Sequence, residues 1–511
     1  MKDKSKIYIL LFSFILFFLS GCASLISRRP PEIEVSKEYS LKLLKEDCDF
    51  LFQTYEQVHP NLYVYTSENV INSIIYRVQN ELNNPISSFE FWKLLSPIVS
   101  KLGDVHTYLS FPYQFRQMYL DDGGKIIPFD VRIKGNRLFV KDNYSSDSTF
   151  AKNSKIVSIN TIPAKEILKD LRKYSLGERL EFKNFYIQMM FKLLMWAHYG
   201  FEDHFKVEYI SSINGKHYTK IFLGITLQKY DSLFQKNRNF EQKPQYWTLQ
   251  TLNDEKIAII DLNSFGTSDD LDRFNKFLKS TFTQIQHEGI QNLIIDVRGN
   301  GGGDNTIGEA LIDYLATEPW VLFSKADFRL SKQIKAEYIP LFLRWMPIKF
   351  VIRMISFLYT SMSIETVEIV SDSSDSQLLT IYSKPKEPVK NPLRFQGNTY
   401  VLIDNGSYSM SVMFAAIMKD YNFATLIGEE TGQPANPYGF NYFFSLPNTH
   451  LRASVSAARS YRPSGRVDGR GVIPNFEVKQ NPEDLEKGID NVMEFTKQLI
   501  RKNTENAKTA R

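Results

Sequence analysis

The chain has 511 residues, 43% hydrophobic and 23% charged, with a formal net charge of +5. That composition excludes a disordered or fibrous protein and allows two or three domains with ample core. The charge is small and dispersed, with no basic stripe interleaved with aromatic residues, so nucleic-acid binding is not expected.

In chain order, basic residues precede the apolar run Ile7 to Leu19, which stops at Leu19-Ser20-Gly21-Cys22. The run is short for a membrane span, and small residues follow it, as in a cleaved secretory leader. Leu-Ser-Gly-Cys resembles a bacterial lipobox. It implies a signal peptide over 1–21, a lipidated Cys22 at the head of a linker over 22–35, and an exported protein tethered to the membrane of the cell envelope. Only Cys48 then remains free, so no intramolecular disulfide, cysteine nucleophile or cysteine metal site is expected. No His/Asp/Glu spacing suggests a metal either, and the sequence sets no oligomeric state.

Residues 36–114 read as helices. Leu41, Leu44, Phe50, Leu51 and Tyr55 recur at helical spacing, and Val70, Ile74, Tyr76 and Val78 do so less cleanly. Ser87-Ser-Phe-Glu90 predicts a helix start with Glu in its first turn. Over 115–227 the pattern turns to short strands, at Ile127–Ile133, Arg137–Lys141 and Lys155–Ala164. From Tyr246 the chain alternates: strand Ile257–Leu262, a helix face of Leu271, Phe274, Leu278, Phe282 and Ile285, strand Leu293–Asp296, helix Ile307–Leu315. This βαβ alternation predicts an α/β core with parallel strands over 246–480, followed by a C-terminal helix and tail over 481–511. An insertion over 324–395 holds the apolar stretch Ile339–Tyr359, whose prolines, Arg344, Lys349 and Arg353 suit packed helices better than a membrane span.

Two stretches carry the chemistry. Leu293-Ile-Ile-Asp-Val-Arg-Gly-Asn-Gly-Gly-Gly-Asp304 is a buried strand that ends in glycines. Tyr400-Val-Leu-Ile-Asp-Asn-Gly-Ser-Tyr-Ser-Met-Ser411 is a strand leading into the apolar helix Val412–Met418. Each ends where backbone N–H groups are freed, and glycine admits a ligand close to them. An oxyanion hole beside a nucleophilic serine needs that geometry, so the pattern points to a serine hydrolase. Ser407, Ser409 and Ser411 are all candidates, and each could equally cap the helix.

Four motifs in order resemble the C-terminal-processing (tail-specific) serine peptidases, the clan that also holds the tricorn core protease. They are Lys155-Ile-Val-Ser-Ile-Asn160, Asp296-Val-Arg-Gly-Asn-Gly-Gly-Gly303, Gly406-Ser-Tyr-Ser-Met-Ser411 with Gly428-Glu-Glu-Thr-Gly432, and Gly469-Arg-Gly-Val-Ile-Pro-Asn475. The resemblance implies a crotonase-like α/β catalytic domain, a PDZ-like β-rich domain over 115–227 and the N-terminal helical region. It places the nucleophile at Ser409, with an oxyanion hole from Met410 and Gly301 or Gly302. The processing branch takes its base from a lysine shortly after Gly-Glu-x-Thr, and no lysine occurs from Asp420 to Val478. Leu102-Gly-Asp-Val-His-Thr107 is similar to the tricorn-like branch instead, which makes His106 the base. Asp468 is the preferred orienting acid, and Asp104 is expected to hold its own turn. The implied protein is a membrane-anchored serine endopeptidase acting on exported proteins or peptides without a cofactor. The alternative is a catalytically silent peptide-binding lipoprotein of the same fold.

Overall fold

The computed structural model describes residues 32–200, 203–237, 246–338, 377–481, 484 and 489–509. The leader with Cys22 and the apolar stretch 339–359 lie outside the described residues. No helix among the described residues is long and apolar enough to cross a membrane.

Helix Leu41–Val58 buries Leu44, Cys48, Leu51, Tyr55 and Val58 along one face, as apolar residues three or four apart require. Phe50 falls off that stripe and remains exposed against Phe444. Helix Ser88–Ser100 begins at a reciprocal cap. The Glu90 N–H donates to the Ser87 hydroxyl, and the Ser87 N–H donates to the Glu90 carboxylate, a device that contributes about 1 kcal/mol. Between them, helix Glu68–Glu81 fully buries only Ile71 and leaves Tyr76 70% exposed, which accounts for its poor apolar period.

The strands over 129–223 form one antiparallel sheet, in the order Phe129–Lys134, Arg137–Asn143, Lys155–Ile159, His204–Ile210, His217–Leu223. Helix Leu180–Tyr199 lies along the first of these, an edge strand, and Gln188 Oε1 accepts the Ile133 N–H. This sheet, the N-terminal helices and a later hairpin share one apolar cluster. Leu44, Leu51 and Phe91 meet Phe129, Val140 and Ile156 there, and also Leu446, Leu451 and Val455. Each fully buried side chain of this size contributes about 1.5–3 kcal/mol.

The second half is built on a six-stranded sheet. Trp247–Leu252 pairs antiparallel with Ile257–Leu262, and Asn292–Asp296, Asn398–Ile403, Thr425–Gly428 and Phe476–Glu477 follow in parallel. Leu293 and Ile295 face helices Leu271–His287, Asn305–Ile312 and Met410–Asp420, whereas Ile294 faces helix Asn491–Thr509. Both faces are covered, so these strands read as unbroken apolar runs. A last sheet runs Gln377–Tyr382, Lys325–Leu330, Arg452–Tyr461, Tyr438–Ser445. Tyr108–Leu109, just past His106, pairs with Arg452–Tyr461 at Ala453 and Ser454. That pairing carries a segment of the N-terminal region to the mouth of the parallel sheet.

Candidate active site

Strand Asn292–Asp296 delivers the glycine-rich loop, which is pinned at its base. Arg298 donates to Asp296 and to Asp490, and the Asn300 amide donates to the Leu262 carbonyl at 2.6 Å. Strand Asn398–Ile403 delivers the serine turn beside it. The Ser407 hydroxyl donates to the Val297 carbonyl at 2.7 Å, and the Ser411 hydroxyl donates to the Asn300 carbonyl at 2.8 Å. Both serines are fully buried and clamp the two loops together.

Ser409 differs from its neighbours. Its backbone is left-handed, φ 57 and ψ −125, at the N-terminus of helix Met410–Asp420. Such a conformation costs a serine about 1–3 kcal/mol and recurs where a nucleophile must stand clear of its helix. Its hydroxyl has no hydrogen-bond partner among the described residues and opens on a cleft of about 650 Å³. His106, Gly303, Asp304, Met413, Tyr438, Phe440 and Phe443 line the same cleft, and among the described residues no lysine does. Lys419 instead donates to the Ile473 carbonyl.

Gly302 explains why the glycine run is needed. Its φ is +90, and a Cβ there would lie 2.7 Å from Ser409 Cβ and 2.8 Å from Met410 N. The close approach that glycine permits is therefore made, but the Gly302 N–H donates to Asn300 Oδ1 at 2.8 Å. Gly301 packs on Tyr408, where a Cβ would meet the phenol oxygen at 2.8 Å. Of the three donors read from the sequence, the Met410 and Gly301 N–H groups have no acceptor among the described residues, and Gly303 is the glycine that lines the cleft.

His106 stands on a turn that Asp104 organises. Asp104 accepts the His106 N–H at 3.0 Å, the Thr107 hydroxyl at 2.6 Å and the Ser456 hydroxyl at 2.5 Å. His59 Nε2 stands 3.4 Å away, without an aligned hydrogen bond. Burial alone would raise the Asp104 pKa. The neighbouring His59, His106 and Ser456 outweigh it and hold the carboxyl well below its usual range. The His106 imidazole is pushed below its ordinary value, chiefly by desolvation and against the pull of Asp104 and a hydrogen bond to the Tyr438 carbonyl. A neutral imidazole is what a general base requires.

The structure does not bring Asp468, the acid preferred from the sequence, to His106. Asp468 accepts the Arg470 N–H and pairs with Arg466 Nε at 2.8 Å, on a separate surface with Lys419 and Arg462. The Arg466 side chain and the Arg470 backbone N–H hold its carboxylate locally, while the Arg470 guanidinium pairs with Glu430. In its stead, the side chain that bridges Ser409 and His106 is Gln433, which no sequence motif marked. Its Oε1 accepts the Ser409 N–H, and its Nε2 lies 3.3 Å from His106 Nδ1. A long polar side chain two residues past Thr431, next to the expected lysine position, was the available signal.

Comparison with known proteins agrees with the motif order. Residues 256–478 match peptidase family S41. The tail-specific protease of Haemophilus influenzae is 22% identical over 306 residues, 56% of this chain and 35% of that protein, so the chain spans about a third of the relative's length. In the crystal structure of mature CPAF, 90% of this chain and 98% of that chain superpose with a TM-score of 0.63 at 14% identity. A CPAF mutant superposes with a TM-score of 0.66 at 13% identity, over 91% and 98% of the two chains. These likenesses show a shared fold, a mixed α/β architecture of several sheets. The match of residues 256–478 to peptidase family S41 and the likeness to a tail-specific protease support a C-terminal-processing serine peptidase domain in this part of the chain.

Proposed function

We propose that this chain is a serine endopeptidase in which Ser409 attacks a peptide carbonyl and His106 takes its proton. One observation carries the reading: of three serines in one turn, two are locked to the glycine loop and the third, strained and uncommitted, opens on the cleft that holds His106. The Met410 N–H, at the positive end of its helix, supplies an oxyanion donor, and the glycine loop faces it. The parallel sheet with its helices is read as the crotonase-like catalytic unit, and the sheet over 129–223 as the PDZ-like unit. One of its two edge strands, Phe129–Lys134, is already engaged by Gln188 at Ile133, which favours a structural role for that edge over capture of free peptide ends.

A fluorophosphonate probe tests the chemistry, because only an activated serine reacts. Labelling should map to Ser409 by mass spectrometry and vanish in Ser409→Ala. A folded protein that stays unlabelled would favour the silent peptide-binding alternative. Exported proteins or peptides are the proposed substrates, with the enzyme held at the membrane through lipid on Cys22. That placement rests on Leu19-Ser-Gly-Cys22. Cys22→Ala should move the protein out of the membrane fraction, and unchanged partitioning would reject the anchor.

A further inference from the structure

Gln433 is 1% exposed, and both ends of its amide are committed to the site. Its Oε1 accepts the Ser409 N–H at 2.8 Å. That bond fixes the sense of the amide, since the reverse would set its NH2 against another N–H. The NH2 therefore faces His106 Nδ1, 3.3 Å away. An amide NH2 only donates, so Nδ1 must present its lone pair, and in a neutral imidazole the proton then sits on Nε2. The backbone of Tyr438 acts on the ring from its other side and favours the protonated form, against the desolvation that lowers its pKa. The loop that carries Gln433 is rigid: the Gly432 N–H donates to the Ser407 carbonyl, and the Thr431 hydroxyl donates to the Gln433 carbonyl.

We propose that Gln433 is a positioning residue that holds His106 as its Nε2–H tautomer, makes Nδ1 the basic nitrogen, and ties the base to the backbone of the nucleophile. This rests on the Ser409–His106 reading above. In the acylation step the Oγ–H bond of Ser409 breaks and an Nδ1–H bond forms, while Oγ bonds to the carbonyl carbon and the carbonyl electron pair moves to oxygen. The new Nδ1–H then opposes the amide NH2. A half-turn of the Gln433 amide relieves this by offering Oε1 to Nδ1–H, and it releases the Ser409 N–H next to that of Met410. Base protonation and the freeing of a backbone donor are thereby coupled through one side chain.

The groups acting on His106 are few. Asp104 lies in its own turn with His59 behind it, Tyr438 comes from the facing strand, and Ser409 and Gln433 come from the nucleophile side. The test uses the full chain with ¹⁵N-labelled histidine, the His106 signals being identified by their loss in His106→Gln. The wild-type ring should be neutral with the proton on Nε2. Gln433→Glu should raise its titration midpoint by about one unit, because an opposed carboxylate favours the imidazolium, and the pH midpoint of Ser409 labelling should rise with it. Gln433→Ala should slow labelling about ten- to a hundredfold through loss of alignment. A wild-type His106 protonated on Nδ1 overturns the assignment, as does a folded Gln433→Glu with an unmoved midpoint. If the variants fail to fold, the wild-type tautomer alone decides. The expected tautomer in a protein that never labels at Ser409 would support Gln433's placement and reject the proposed peptidase activity.

Discussion

His106→Ala is expected to slow fluorophosphonate labelling of Ser409 by about a hundred- to ten-thousandfold, the usual worth of a positioned general base. No lysine among the described residues lines the cleft to substitute for it. The pH dependence should carry the same signature. Burial pushes the His106 pKa below its ordinary value, so the ring stays neutral, and labelling stays on its plateau, at pH values below about 6.5 where a free imidazole is already half protonated. Labelling then falls as pH drops through the lowered pKa. The linkage has the matching sign. The unfolded chain takes up the proton first, so this histidine withdraws stability as pH falls from the unfolded value to the folded one. Labelling rates of the parent and of His106→Ala across this range check both points, since the variant should lack the acidic limb. Equal rates in the two proteins would remove His106 from the mechanism.

Asp104→Ala is expected to cost on the order of 3–5 kcal/mol of stability, the range for removing one member of a buried, hydrogen-bonded charge cluster. The carboxylate is 3% exposed and serves the His106 N–H and the hydroxyls of Thr107 and Ser456. Its loss strands three buried donors at once, each costing about 1–3 kcal/mol if left unpaired. Ser456 belongs to strand Arg452–Tyr461, so the damage extends to the seam that seats the histidine turn. Because the folded pKa is depressed, the contribution is complete above about pH 4, the unfolded carboxylate value, and drains away as pH falls toward the folded one. Asp468→Asn provides the contrast. Its carboxylate sits among surface arginines, and the substitution should change stability by no more than about 0.5 kcal/mol. Denaturant melts of both variants, with labelling rates beside them, decide the matter. A slower-labelling Asp468→Asn alongside an undisturbed Asp104→Ala would restore Asp468 as the orienting acid.

The contrast between these aspartates shows what sequence could and could not convey. Strand Asn292–Asp296 and helix Leu271–His287 were legible because apolar period alone decides them. The turn role of Asp104 was legible too, since an aspartate two residues before a backbone N–H commonly accepts it. Motif spacing pointed to Asp468, but spacing does not record that Arg466 and the Arg470 backbone N–H hold the carboxylate. The hairpin Tyr438–Ser445/Arg452–Tyr461 went unread because its second strand, Arg-Ala-Ser-Val-Ser-Ala-Ala-Arg-Ser-Tyr, is mostly small residues without bulky alternation. Without that hairpin, the seat of His106 and the carbonyl of Tyr438 could not be foreseen. Gln433 was silent for another reason: an amide has no charge and no period, and only its neighbours in space give it meaning.

The strand pairing of Tyr108–Leu109 with Ala453 and Ser454 has a bearing on the order of biogenesis. His106 is synthesised early and Ser409 late, and the segment that joins them, Arg452–Tyr461, later still. A nascent chain that has emerged only through its first three hundred residues holds a histidine with nothing to activate. One that has just exposed Ser409 still lacks the strand on which the histidine turn must dock. Seating of the histidine turn therefore waits on a strand that lies beyond Ser409 in the chain, and a chain cut short between the two would hold both side chains without their common frame.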